Sequence, residues 1–149
     1  MKVIFLDIDG VLNSEVYYKS VDRSNVNWNR FDPEVVKMII KLVEEFAAKI
    51  VISSTWRFGA VKLLDEELKK SGIRKYLHKE WKTPQVYPSH RGTEIKMWLD
   101  KQADMGNYLI LDDDTNMLKE QIPHFIQTNL HFGMQAEHYY QAREILEKK

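Results

Sequence analysis

Two carboxylates one residue apart, Asp7 and Asp9, stand at the end of the apolar run Val3-Ile4-Phe5-Leu6 and lead into Gly10-Val11. Side chains two apart in an extended segment point the same way. The pair therefore holds negative charge side by side, which costs stability unless a cation or a proton offsets it. Gly10 permits a backbone conformation that other residues resist, and a close approach to a ligand. Two later apolar runs end in the same manner. Lys49-Ile50-Val51-Ile52 runs into Ser53-Ser54-Thr55-Trp56-Arg57, and Asn107 to Leu111 runs into Asp112-Asp113-Asp114. Asp7, Asp9, Asp112 and Asp113 converging on one point cannot all stay ionised without a cation. Hard oxygen ligands, with no cysteine and few histidines, suit Mg²⁺, which keeps several waters and favours phosphate-bearing partners. A carboxylate beside such an ion can attack phosphorus and form an aspartyl-phosphate. A second can protonate the leaving oxygen and later activate water, while a hydroxyl and a cationic side chain hold the transferring oxygens. The plainer alternative is a strand end with two solvated aspartates and an ordinary turn.

The elements that must position these groups follow from pattern. The first run lacks the alternation of a half-wet strand and reads as a strand buried on both faces. Asp32-Pro33 opens a helix as N-cap and first-turn proline, with Val35, Val36, Ile39, Ile40, Val43 and Phe46 on its buried face. Another helix is expected from about Phe58 to Ser71, with Val61, Leu64 and Leu68 inward and Gly72 as its stop. Ile73 to His90 suits a connection with one short strand. Arg91-Gly92-Thr93 introduces a helix with Ile95, Trp98 and Leu99 inward. Phe125 to Thr128 is a further strand, and Ala136 to Lys149 a closing helix with Tyr139, Ile145 and Leu146 apolar. Leu12 to Arg30 shows no sustained helical period and reads as a loop or small flap. Strands alternating with helices give an α/β fold with a parallel sheet covered on both faces. Ligands then bind outside the carboxyl ends of the strands, where the polar groups above collect.

The chain has 149 residues, 44% of them hydrophobic and 30% charged, and fits one globular domain, 1–149. Lys+Arg and Asp+Glu both number 22, so no broad cationic footprint for duplex nucleic acid exists, although a local basic groove is compatible with neutrality. The absence of cysteine removes disulfide partners and thiolate chemistry. No apolar stretch reaches membrane-spanning length and no signal peptide precedes the first strand, so a complete N-terminus and a soluble, cytoplasmic protein without a membrane partner are expected.

Asp7-Ile8-Asp9-Gly10-Val11, with Ser53/Ser54, a basic residue at the start of the third helix and Asp112-Asp113, resembles the haloacid dehalogenase (HAD) superfamily of phosphatases. The motifs occur in the family's order over residues 7 to 113, and with flanking elements the resemblance covers essentially the whole chain. It implies a Rossmann-like three-layer core, a Mg²⁺ cofactor and phosphomonoester hydrolysis. It further implies Asp7 as nucleophile and metal ligand, and Asp9 as general acid/base with its main-chain carbonyl on the metal. Asp112 and Asp113 complete the metal site, Asp113 as first choice of anchor, while Asp114 reads as a capping neighbour. Ser54-Thr55-Trp56-Arg57 resembles the Thr/Ser-x-Trp segment of small HAD domains associated with nucleic-acid repair, which favours Ser54 over Ser53 as the motif hydroxyl. The chain departs from the family pattern at the basic motif: the usual lysine is replaced by Arg91, whose fork suits both carboxylate and phosphate. Lys96 and Lys82 are the other candidates.

Trp56 and Arg57 could stack on a base and hold a phosphate, or be a core tryptophan and a surface ion pair. Gly10 and Ser53 complete the candidate substrate-contacting set. Tyr17, Tyr18 and Trp28 form either a rim over the substrate or the packing that holds the flap, residues 13–31, down. Among the histidines only His90, beside Arg91, stands near the candidate site. Asp65-Glu66-Glu67 reads as a solvated helix face. There is no room for a separate cap domain, which leaves the site open and resembles members acting on large substrates. The substrate expected is a nucleotide, another phosphorylated small molecule or a phosphorylated nucleic-acid end. The alternative is a non-catalytic phospho-binding or regulatory module on the same fold. A receiver domain, also built on a strand-end aspartate and Mg²⁺, places that aspartate on a later strand.

Overall fold

The computed structural model describes residues 1–149. Five strands, β1 (Val3–Leu6), β2 (Lys49–Ile52), β3 (Leu77–Lys82), β4 (Tyr108–Asp112) and β5 (Phe125–Gln127), form one sheet in the order β3-β2-β1-β4-β5. Every neighbouring pair is parallel. This is a Rossmann-like α/β sheet whose strand order reverses direction at β1, placing a crevice between the carboxyl ends of β1 and β4.

Six α-helices accompany it: α1 (Glu15–Ser20), α2 (Pro33–Phe46), α3 (Trp56–Gly59), α4 (Val61–Ser71), α5 (Arg91–Leu99) and α6 (Ala136–Glu147). The main core, on one face of the sheet, joins Ile4, Leu6, Ile50 and Ile52 to Val36 and Ile39 of α2, Leu64 and Leu68 of α4, and Leu146 of α6. The smaller core on the opposite face joins Val3, Phe5, Val51 and Ile110 to Ile95 and Trp98 of α5. Strand alternation carries that second parity onward. Past Phe5 comes Asp7, past Val51 comes Ser53, and past Ile110 comes Asp112, all on the side where α5 begins with Arg91.

The cap of α2 forms as expected, the Asp32 side chain accepting from Glu34 N–H with Pro33 in the first turn. Gly72 ends α4 in the left-handed region at φ +81°. Three expectations need correction. The flap contains a helix, α1, which buries none of its residues and so shows no apolar stripe; it is set by the Ser14 N-cap. The single helix expected from Phe58 to Ser71 is two, broken at Ala60 (φ −140°, ψ 45°), and Val61 is exposed rather than inward. Glu67, expected on a solvated face, is 2% exposed, paired with Arg30 at 3.5 Å and Lys70 at 3.2 Å, where it ties the flap to α4. No helix is long and apolar enough to cross a membrane.

Candidate active site

Backbone pairing continues one residue past the strands. Asp7 N–H donates to Leu111 O (3.1 Å) and Ser53 N–H to Leu6 O (3.1 Å), so Asp7, Ser53 and Asp112 sit on rigid backbone. The carboxylates of Asp7, Asp112 and Asp113 offer oxygens all within 4.8 Å of one another. Burial and the neighbouring Asp112 charge push the Asp7 carboxyl well above the usual range, against the opposing pull of Arg91. Burial likewise raises Asp112 to about 6, again opposed by Arg91. Asp112 Oδ1 accepts from Asp114 N–H (2.9 Å), but Oδ2 is buried without a hydrogen-bond donor. An orphaned buried oxygen within a set of hard anionic donors fits a divalent cation such as Mg²⁺.

The positive charge facing these carboxylates is Arg91. Its Nη1 lies 3.5 Å from Asp7 Oδ1 and its Nε 3.4 Å from Asp112 Oδ2, and Nη1 also donates to Ser53 O. The start of α5 is fixed locally. His90 caps it, Nδ1 accepting from Thr93 N–H (3.1 Å), and Gln121 Nε2 donates to Gly92 O (2.8 Å). Gly92 is required there, because a Cβ would lie 2.6 Å from Leu118 N. Lys96 is on the outer face of α5, paired with Asp100 at 2.9 Å, and Lys82 lies over the Trp81 ring. Neither reaches the aspartates.

Asp9 stands apart from the three clustered carboxylates. Asn13 Nδ2 donates to its Oδ1 (2.8 Å) and Trp56 Nε1–H to its Oδ2 (2.9 Å). The convergence of side chains is thus of three aspartates, with the fourth turned aside. Gly10 adopts φ +81°, and a Cβ there would lie 2.7 Å from Asp113 Oδ2. Its N–H is taken by Asn13 Oδ1 (3.1 Å) and its carbonyl by Thr128 Oγ1 (2.6 Å). Gly10 therefore makes room for Asp113 and offers no donor to a substrate.

Arg57 is not a phosphate ligand. It is 1% exposed; Nε donates to Thr83 O (2.9 Å), Nη1 to Ser53 O (2.6 Å) and Ser54 O (2.7 Å), and Nη2 to Glu94 Oε2 (2.7 Å). Neither a phosphate-holding nor a surface role fits: the guanidinium is a buried strut between the β2 end and α5. Trp56 is half-buried, tilted against Phe31 at 6.1 Å between ring centres, its N–H committed to Asp9. Ser53 Oγ is enclosed and has no partner. Ser54 Oγ accepts from Trp56 N–H (3.2 Å) and retains its own proton to donate. Asp114 Oδ1 accepts from Asn116 N–H (3.1 Å). Tyr18 packs edge-on against Trp28 at 5.6 Å, and Tyr17 Oη donates to Asn29 O (2.6 Å), so these rings knit the flap together. The sequence reading missed Asn13 and Thr128. Asn13 lies four residues beyond Asp9, within one tight turn of it, and Thr128 follows β5 directly, at the edge where polar groups collect.

No curated protein and no solved structure shows significant similarity to the chain. The model of one family, described as the HAD domain in Swiss Army Knife RNA repair proteins, matches residues 3–139. With an all-parallel sheet of Rossmann-like order and a carboxylate cluster at the carboxyl ends of β1 and β4, the chain belongs to this family of HAD domains, within a superfamily of phosphohydrolases.

Proposed function

We propose that the chain is a phosphomonoester hydrolase that works through an aspartyl-phosphate on Asp7. The observation that carries this reading is the meeting of Asp7, Asp112 and Asp113 with Arg91 at one strand-end crevice. HAD domains generally use Mg²⁺, and Asp7, Asp112 and Asp113 are the residues that would hold it here. When bound, the ion neutralises the carboxylates and draws charge from the phosphoryl oxygens. Asp7 Oδ bonds to phosphorus as the ester P–O bond breaks. Asp9 gives its proton to the departing oxygen. Asp9 then takes a proton from water as the water oxygen bonds to phosphorus, releasing phosphate and restoring the Asp7 carboxylate. Arg91 holds a phosphoryl oxygen beside the nucleophile, and Ser54 Oγ donates to another.

The substrate we infer is a nucleotide or the phosphorylated end of a nucleic acid. The family description, a flap of only about nineteen residues (13–31) and the absence of room for a cap support a substrate larger than the crevice. A cavity of about 350 Å³ lined by Thr55, Phe58, Gln85, Tyr87 and Ser89, close in sequence to Ser54 and Arg91, offers exposed aromatic faces for a base. A non-catalytic binding module needs no second carboxylate beside Asp7, and Asp9 supplies one.

The test is phosphate release from an aryl phosphate and from 3′- and 5′-phosphorylated oligonucleotides, in Mg²⁺ and in chelator. Mg²⁺-dependent release that Asp9→Asn abolishes is expected. Silence across the whole panel would leave the binding-module reading in its place.

A further inference from the structure

Asp9 is the one acidic residue of the motif set whose side chain lies outside the cluster, and both of its oxygens are held from outside it. The holders come from different parts of the chain. Asn13 is in the turn after β1, and its Oδ1 is itself fixed by Gly10 N–H (3.1 Å). Its Nδ2 serves Asp9 (2.8 Å) and also donates to Tyr18 Oη (2.6 Å), within the packed flap. Trp56 opens α3 after β2, wedged against Phe31, with its N–H on Asp9 Oδ2 at 2.9 Å. A short exposed carboxylate without such partners would sample several rotamers.

We propose that Trp56 and Asn13 are positioning residues that hold the Asp9 carboxyl away from the Asp7–Asp112–Asp113 cluster, aimed at the leaving-group oxygen. This rests on the phosphohydrolase reading above. The two bonds occupy one lone pair on each oxygen and leave the others for the proton in transfer. The clamp also links the acid to the flap through Tyr18 and to β2 through Trp56, so the acid keeps its place only while both are docked.

A positioning role for the general acid has a signature that simple loss of packing lacks. Departure of an alkoxide needs the proton; departure of an activated phenolate hardly does. Trp56→Phe keeps an aromatic ring against Phe31 and removes the N–H together with the pyrrole part of the indole. Asn13→Asp keeps the acceptor for Gly10 N–H and turns a donor to Asp9 into a repelling oxygen. Each variant is expected to lose about tenfold or more in the single-turnover rate of leaving-group release from an alkyl phosphate and less than about threefold in that from an activated aryl phosphate, a readout that precedes the water step in which Asp9 also acts. KM and the Mg²⁺-induced rise in melting temperature should stay near wild type. Equal losses on both esters, or no loss, would overturn the proposal while leaving the hydrolase standing. If the wild-type protein hydrolyses neither ester, the hydrolase reading falls and the catalytic role of the clamp with it. The contact itself is read without turnover: the chain has four tryptophans, and in an ¹H–¹⁵N spectrum Asp9→Ala should shift the indole peak that Trp56→Phe deletes. An unmoved peak would overturn the clamp whatever the activity.

Discussion

Replacing Asp7 by asparagine should make the metal-free protein more stable while removing its activity. Asp7 is 5% exposed and Asp112 fully buried, and their oxygens lie no more than 4.8 Å apart. Two unit charges at that distance repel by about 3 kcal/mol at an effective dielectric of about 20. Arg91, at 3.5 and 3.4 Å, offsets this repulsion, but burial of the charge acts with the repulsion and outweighs that pull, which leaves the ionised Asp7 carboxylate strained. The asparagine amide removes one charge and can donate to Asp112 Oδ2, the buried oxygen that has no donor. At about 2–4 °C per kcal/mol for a chain of this size, relief of about 1–2 kcal/mol, an ordinary size for a single substitution, should raise melting by about 2–8 °C above wild type in chelator near neutral pH. The pH dependence has a definite sign. A carboxyl whose folded pKa is raised binds its proton more tightly in the folded state, so stability falls as pH rises from the unfolded value through the folded one. For Asp112 that window runs from 3.8 to about 6, and Asp7, raised in the same direction by burial and the Asp112 charge, adds to the loss. Wild type in chelator should therefore melt lower at pH 7.5 than at pH 5.5, with Asp7→Asn reducing the difference. Mg²⁺ should recover stability in wild type, by about 1.4 kcal/mol at ten times its Kd, and less in the variant. Thermal melts with and without chelator read all of this. An Asp7→Asn protein that melts no higher than wild type without metal, or that gains as much from Mg²⁺, would refute the claim that the cluster stores charge strain for a cation.

Gly10→Ala should cost about 1–2 kcal/mol through its positive φ. It should also weaken the Mg²⁺-dependent rise in melting temperature, because the added Cβ meets Asp113 at 2.7–2.8 Å. Arg57→Met should destabilise by about 3–5 kcal/mol in urea titration, since it leaves Glu94 charged and 2% exposed; a loss of activity at unchanged stability would restore Arg57 to the site. Arg91→Ala should raise KM for a phosphate ester and lower kcat, while Lys96→Ala, which breaks only an exposed pair with Asp100, should leave both stability and kinetics near wild type. The reverse ranking would move the basic role onto Lys96.

The sheet was readable because its strands are buried on both faces and so appear as unbroken apolar runs, each stopped by the polar residues that mark a strand end. The long helix α2 carried both its cap and its stripe in plain sight. Asp7, Asp112 and Asp113 were readable for the same reason: their position past Leu6 and Leu111 follows from where the runs stop. What escaped lacks a period. Helix α1 buries no residue, so nothing repeats along it. Glu67 looks like any solvated glutamate until Arg30 and Lys70 close over it. Arg57 and Trp56 were visible as residue types, but their partners are Glu94 and Asp9, thirty-seven and forty-seven positions away. Such pairings are made by tertiary packing and leave no mark on neighbouring positions. Asn13 and Thr128 belong to the same class, single polar residues in turns whose meaning depends on which strand end faces them.

In the proposed reaction Asp7 carries the phosphoryl group. Incubating Asp9→Asn with an activated aryl phosphate and Mg²⁺ should leave the phosphoryl group on the protein, because the leaving group departs unaided while the water is no longer activated. Intact-mass measurement should show one added phosphoryl group, and peptide mapping should place it on Asp7. Hydrolysis by the wild type without any trapped phosphoprotein in the variant, or a phosphoryl group on any other residue, would contradict the account.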